Sequence, residues 1–492
     1  MQRNLGLLKL YKTPLLITLV SFALYTVFAY NLERTQYVKL VTLYTSLFGL
    51  FYWLQKKYKN NTKLLTTLAF LFRSAFILAT PNLSQDFYRF IWDGRMILEG
   101  FNPYLYTVES FMSVGNFPIA QAKELYHGMG TLNASHFTNY PPVNQLCFII
   151  AGLFASKSIL GSVVVLRLII ISADYGTLYF GKKLLKKLKL PVHNIFWYVL
   201  NPFIIIELTG NLHFEGVMIF FLVWSLYLLE KGKWPWSAAV FALSISTKLM
   251  PLMFLPLVFK WFTKKHVIAN GGAKQSVSND EITRSQVPRS DERDASLSLR
   301  MIKLISFYAI VGTVTLFLFL PFFSKQFVLN YTETVALWFQ KFEFNASIYY
   351  VFREVGYYMR GYNEIAILGI VLSLMIFLFT LYRTFYKANY PMENLLKSML
   401  LVFTCYLFLS TTVHPWYLVT LLFLSVFTKY KFPLIWSFVI ILSYLAYIQI
   451  GNANKSENLL IIFLEYLIVY SVFVRDVFKD NPKAIQENLS CK

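Results

Sequence analysis

Apolar runs long enough to cross a lipid bilayer recur along this 492-residue chain, and they leave packed helices as the workable fold. A helical crossing needs roughly 20 mostly apolar residues, and backbone groups in lipid must pair inside their own segment. Helices are expected over residues 14–30, 37–55, 64–80, 159–180, 193–209, 215–230, 235–249, 250–262, 301–320, 364–382, 395–411, 416–428, 433–450 and 459–475. No series of short alternating strands points to a barrel. The expected fold is an all-α polytopic membrane protein of about 14 transmembrane helices, in keeping with 57% hydrophobic and only 14% charged residues.

A net charge of +21 would suit a nucleic-acid partner if it lay on one soluble face. Instead the lysines form short clusters between apolar runs, as in QKKYKNNTK (residues 55–63) and KKLLKKLK (residues 182–189), so no nucleic acid is expected. Clusters of this kind mark cytoplasmic connections. With the basic N-terminus inside, every conspicuous cluster falls on one side, both termini are cytoplasmic, and a bacterial inner membrane is the expected location. The apolar stretch 143–155 is short and follows Pro141-Pro142, so it is read as re-entrant or interfacial rather than as a crossing. The opposite, extracytoplasmic side receives the first large loop (82–142), the turn 210–215, the connection 248–251, the loop 321–362 and the turn at His414.

Residues 264–300 are rich in Ser, Asp, Glu, Lys, Arg and Gly and nearly free of aromatics. Such a composition cannot bury enough apolar surface to fold, so a disordered cytoplasmic linker is expected. It separates an N-terminal catalytic transmembrane block (1–263) from a C-terminal one (301–492). No internal repeat links the blocks, which weighs against an inverted-repeat transporter. The three cysteines, Cys147, Cys405 and Cys491, form neither a disulfide framework nor a metal-ligand spacing. The N-terminus has no convincing small-residue cleavage site and is read as a retained first helix.

All the polar constellations fall on the outer side. Residues 84–104, SQDFYRFIWDGRMILEGFNPY, place Asp86, Arg89, Asp93 and Arg95 at a bilayer edge. Asp86 suits a general base for an acceptor hydroxyl, against the plainer reading of a solvated acid at a loop start. If the stretch is helical, Arg89 and Asp93 lie four apart and pair, leaving Asp86 as the unpaired acid. Tyr140, in TNYPPV, lines a sugar site or rigidifies a helix entry. Lys248, in ISTKLMP, breaks the charge rule, and a lipid phosphate would explain the exception. His213 and Glu215, in GNLHFEG, point apart on a helix and have no third ligand at a fixed spacing, so hydrogen bonding to substrate is favoured over metal. Arg167 and Asp174, seven apart within one span, are read as structural. His414, in HPWY, needs a polar partner in an apolar turn, and Arg353 is either a phosphate contact or an interfacial charge.

In order and spacing these motifs resemble the GT-C superfamily of polyprenyl-phosphate-sugar-dependent glycosyltransferases. Within it they are most similar to the first-mannose mannosyltransferases of GPI-anchor assembly and their bacterial relatives. DFYRFIWDGRMILEGFNPY, TNYPPV, SADYGTLYFGKKLL, FWYVLNPFIIIELTGNLHFEG and AAVFALSISTKLMPLMFLPLVF carry the resemblance, with FNASIYYVF and HPWYLV as fainter matches. It implies inverting transfer of a hexose, mannose above all, from a polyprenyl-phosphate donor to an acceptor hydroxyl outside the cytoplasm. Asp86 would be the catalytic base. Lys248, Arg89, Arg353, His213, Glu215, His414 and Tyr140 would bind the donor phosphate or sugar. Neither metal nor cofactor is expected, since the lipid-linked sugar is a substrate, and the acceptor is a glycan, lipid or protein. The GPI branch has two acids as DxD where this chain has Ser84-Gln85-Asp86. Glu215 and His213 stand where the eukaryotic pattern has aspartate and asparagine, so sugar or acceptor recognition differs here. The alternative class is a lipid-linked-sugar flippase or transporter, which would spread polar residues across the bilayer. Protein O-mannosyltransferase and oligosaccharide ligase are alternatives within the same architecture.

Overall fold

The computed structural model describes residues 2–115, 117–263, 290–387, 389–447 and 457–480. Among these residues all regular structure is helical, apart from one isolated parallel bridge between Phe344 and Thr412. The N-terminal half is built from α1 (Gln2–Asn31), α2 (Tyr37–Tyr58), α3 (Thr62–Ser74), α4 (Asp86–Leu98), α5 (Val108–Ser113), α6 (Ala122–Ala134), α7 (Pro142–Ala155) and α8 (Ile159–Lys187).

Six described helices are long and apolar enough to cross a membrane: Lys12–Asn31, Tyr37–Tyr58, Ile159–Lys187, Ser298–Phe322, Ile365–Phe385 and Met392–Leu409. A seventh is added if Pro202–Gly210 and Glu215–Glu230, bent by 113°, count as one span. The helix lengths therefore supply fewer spans than the fourteen expected from apolar runs. Proline accounts for part of the shortfall, because within a helix it removes a backbone donor and clashes with the preceding turn. Pro251 and Pro256 each open a short 3₁₀ turn, Pro415 opens another, and Pro433 starts the short helix Phe432–Val439. α3 stops at Ser74, well before the expected end at residue 80. The stretch 143–155 forms α7, one of the shorter apolar helices.

The expected linker 264–300 falls mostly on residues 264–289, outside the described residues. Its last part is helical rather than coil, since the helix Ser290–Phe319 runs without a break into the apolar span. Adding turns to an existing helix is far cheaper than nucleating one.

The first large loop is folded. α4 buries Phe87, Phe90, Ile91 and Trp92 and packs against α6 and α7. At Gly94 a Cβ would lie 2.3 Å from the Phe148 carbonyl oxygen, so a side chain there would force the α4 and α7 backbones apart. Phe90 stacks on Phe148 at 4.7 Å and meets Phe214 edge-on at 5.6 Å. The loop is also seated on the second half of the chain: Tyr104 packs against Phe322 and Phe327, and Asn330 Nδ2 donates to the Tyr104 carbonyl at 2.9 Å.

A break in the apolar body lies between Pro202 and Glu215. Asn201 caps the short helix Pro202–Ile204, a π turn covers Ile205–Gly210, and Leu212 takes a left-handed φ of 63° before a new helix starts at Glu215. Such a break frees backbone carbonyls that must find donors. Arg167 supplies them, donating to the carbonyls of Thr209 at 2.7 Å, Gly210 at 3.1 Å and Ile77 at 2.9 Å. Asp174, one face further along α8, pairs with Arg73 of α3 at 2.8 Å, and both side chains are fully buried. Arg73 also donates to the carbonyls of Ala69 and Val199.

Removing one member of such a pair leaves an uncompensated buried charge, at about 3–5 kcal/mol. Arg73→Met is therefore expected to lower the thermal midpoint of the detergent-solubilised protein strongly. Arg73→Met combined with Asp174→Leu should recover most of the loss, and thermal unfolding followed by size-exclusion fluorescence measures both.

Candidate active site

Three segments far apart in sequence are drawn together by side-chain amides. Asn82 Nδ2 donates to the carbonyls of Phe28 at 2.7 Å and Leu32 at 3.0 Å, which docks the end of α1 on the first loop. The Leu83 N–H donates to Asn211 Oδ1 at 3.3 Å, which ties the same loop to the break ahead of Glu215. Asp86 follows as the first residue of α4, half-buried, with its N–H on Ser84 Oγ at 3.3 Å. Asn133 Nδ2 of α6 donates to Asp86 Oδ1 at 3.4 Å. Burial pushes the Asp86 carboxyl above the usual carboxylate range. Lys248 opposes that rise, Glu215 adds to it, and Asn133 and Arg34 oppose it more weakly.

Lys248 follows the helix Trp234–Ile245, and its ammonium lies 3.1 Å from Glu215 Oε1. Glu215 is 0% exposed and Lys248 20% exposed, so the acid is sunk in protein while the cation reaches a cleft. Neither Glu215 oxygen has a hydrogen-bond partner besides this ammonium. The carboxylate opens the helix Glu215–Glu230, where backbone N–H groups favour negative charge. Lys248 Nζ also sits 5.3 Å from the Tyr140 ring centroid. The cleft opens to the surface and is lined by Asn139, Tyr140, Lys248, Ser410, Thr412 and Tyr417 among others. An aromatic wall with a few polar groups is the lining expected of a sugar site.

The two histidines form a wall with Trp416. His213 stacks on Trp416 at 3.9 Å and His414 stacks on it at 4.5 Å, with interplanar angles of 19° and 8°. Burial pushes the His414 imidazole down to about 3, and the charge of Lys248 acts in the same direction, so this ring is neutral at physiological pH. His213 Nε2 lies 3.7 Å from Glu207 Oε2, and Glu207 also accepts from Tyr444 and Asn211. Among the described residues no group of three or more His, Cys, Asp or Glu side chains is arranged to hold a metal ion.

Asp86, Lys248, Glu215, Tyr140, His213 and His414 are thus linked through one region by contact or by charge. Arg89 is placed otherwise than expected for a phosphate contact. It pairs with Asp93 at 2.8 Å and donates to the carbonyls of Asn133 at 2.7 Å and His136 at 3.0 Å, so it clamps α4 to the end of α6. Arg353 lies on the helix Ile348–Arg360 and is held by Glu343 at 2.8 Å and Glu354 at 2.9 Å. Its guanidinium is spent on two carboxylates. Arg34, Asn133 and Tyr417 were not singled out in the sequence. Arg34 carried the same signal as Lys248, a cation on the side opposite the lysine clusters, while nothing local marks the other two.

The chain matches the family described as alpha-(1->6)-mannopyranosyltransferase, N-terminal domain, over residues 16–264. No curated protein and no solved structure matches it. The matched stretch is just over half of the sequence and holds Asp86, Tyr140, His213, Glu215 and Lys248. The chain belongs to this GT-C-type mannosyltransferase family, and is accordingly a glycosyltransferase.

Proposed function

We propose that the protein is an inverting mannosyltransferase that moves mannose from a polyprenyl-phosphate donor to an acceptor hydroxyl on the extracytoplasmic side of a bacterial inner membrane. The observation that carries the proposal is the half-buried Asp86 carboxylate in the field of the Lys248–Glu215 pair, with that pair's cation lining an aromatic cleft. The lysine clusters favour placing this cleft outside the cytoplasm. The short apolar segments that lie between the long helices would complete the expected crossings as broken or partial spans.

In the proposed reaction Asp86 takes the proton of the acceptor hydroxyl as that oxygen attacks the anomeric carbon. The bond from carbon to phosphate oxygen breaks, and the lipid leaves as its phosphate. Lys248 meets the charge that develops on the departing phosphate, so no general acid is needed. An α-linked product formed in one displacement requires a β-linked donor. The family description points to the 6-hydroxyl of a mannose as acceptor. Glu215, which is too buried to serve as a free base, sets the position of the Lys248 ammonium.

Loss of a general base typically costs about 10²–10⁴-fold in rate. Asp86→Asn is expected to reduce kcat by that order in membranes supplied with polyprenyl-phosphate-mannose, while expression is unchanged. Wild-type membranes should prefer that donor over other lipid-linked hexoses, and retention of substantial transfer by Asp86→Asn would remove Asp86 as the base.

The pH profile supplies a separate check. A base works when deprotonated, so kcat/KM is lost as pH falls through the raised Asp86 value. Neutralising Glu215 as Glu215→Gln removes a charge that raises it, and the acid limb should move to lower pH. Lys248→Met removes the charge that most lowers it, so its acid limb should move to higher pH and its donor KM should rise.

A further inference from the structure

The groups at the cleft are short of positive charge for the substrate proposed. Among the described residues Lys248 is the one charged residue in the cleft lining, its ammonium is already held by Glu215, and Asp86 lies in the field of that pair. A phosphate brought to that spot meets repulsion from Asp86 and shares its cation with Glu215. Phosphates are usually held by guanidinium and ammonium groups in charge-assisted bonds.

Arg34 supplies a second cation. It lies in the short connection between α1 and α2, which Asn82 pins to the first loop through the carbonyls of Phe28 and Leu32. Its Nη1 donates to the carbonyl of Leu83, three residues ahead of Asp86, at a long 3.4 Å. Its guanidinium carbon lies 3.9 Å from the Tyr447 ring centroid. Tyr447 in turn packs on Phe344, and Phe344 on His414 of the stacked wall. Arg34 is half-buried and, among the described residues, pairs with no carboxylate within 4.0 Å. A guanidinium has five N–H donors, so one long bond and a ring face leave most of its capacity for a ligand. Stacking on Tyr447 fixes its plane, which lowers the entropy lost when an anion binds.

We infer that Arg34 is a second binding residue for the phosphate of a lipid-linked substrate, held beside Asp86 by the docking of α1 on the first loop. The inference rests on the transfer reaction proposed above and adds a residue from a part of the chain that none of its motifs includes. The same chemistry is offered by the headgroups of anionic phospholipids, and the test separates the two sources.

The full chain is reconstituted in nanodiscs of zwitterionic phosphatidylcholine, and transfer is measured against polyprenyl-phosphate-mannose concentration. Arg34→Gln is expected to raise donor KM about tenfold, the size of one charge-assisted hydrogen bond, with kcat and acceptor KM changed less than about threefold. Arg34→Met keeps the stem beside Tyr447 and stands in if Arg34→Gln fails to accumulate. An unchanged donor KM in these discs overturns the inference, as does an effect seen only after anionic phospholipid is added, which would assign Arg34 to bulk headgroups. A second readout does not depend on transfer. The sugar-free polyprenyl monophosphate should raise the thermal midpoint of the wild type and raise that of Arg34→Gln less, and equal shifts overturn the inference. If wild type transfers no mannose yet shows this differential stabilisation, the proposed reaction fails while the phosphate site stands.

Discussion

The ion pair between Glu215 and Lys248 joins two interruptions of an otherwise apolar body. Glu215 opens a helix after a π turn, and Lys248 stands between a helix end and a run of proline-started 3₁₀ turns. A carboxylate with no exposed surface and no hydrogen-bond donor needs a cation against it, and here that cation comes from a segment interrupted near Lys248. Broken backbone next to buried charge also has to be satisfied, and Arg167 does so at the carbonyls of Thr209 and Gly210. The cleft borders the second of these interruptions, where Lys248, Leu249 and Met250 line it.

Around this pair the first loop behaves as a packed layer. Gly94 lets α4 approach α7, Arg89 fastens α4 to the end of α6, and Asn82 and Asn211 fasten the segment before Asp86 to α1 and to the break. The result is a carboxylate held at a helix start, partly out of water, with an ammonium in its field. Desolvation raises its affinity for a proton and the ammonium lowers it, so the two effects oppose each other at this carboxyl. The neutral His213–Trp416–His414 stack contributes a rigid aromatic face without adding charge.

Much of the site was legible because bilayer physics sorts residues by sign and depth. Asp86, Tyr140, Glu215 and Lys248 all fell on the side opposite the lysine clusters, and Lys248 stood out because it violated the charge rule. Arg34 violated it equally, yet it sits in a short turn with Glu33 beside it and no surrounding motif. Arg89 was expected to pair with Asp93 if its stretch is helical or to meet a phosphate, and Arg353 to be a phosphate contact or an interfacial charge. A guanidinium goes to whatever acceptors folding brings close. For Arg89 these are Asp93 and two carbonyls of the loop, and for Arg353 they are Glu343 and Glu354. The count of long continuous helices falls below the fourteen expected crossings for a related reason. Apolar composition reports that a segment avoids water, whereas Pro251, Pro256 and Pro415 decide whether it does so as one continuous helix.

From the sequence alone came the helical class, the motifs that carry the family resemblance, and the expectation that Asp86 acts as base on the side opposite the lysine clusters. The helical class and the expected sidedness follow from the cost of burying backbone and charge in lipid, which is local and additive along the chain, and the resemblance follows from the order and spacing of motifs. The tertiary structure decided which cation meets Glu215, which arginines are consumed as framework, how two distant histidines share one tryptophan, and that the α1–α2 turn reaches the Asp86 loop. Those outcomes depend on contacts between residues tens to hundreds of positions apart, and short-range pattern in the chain does not encode such distances.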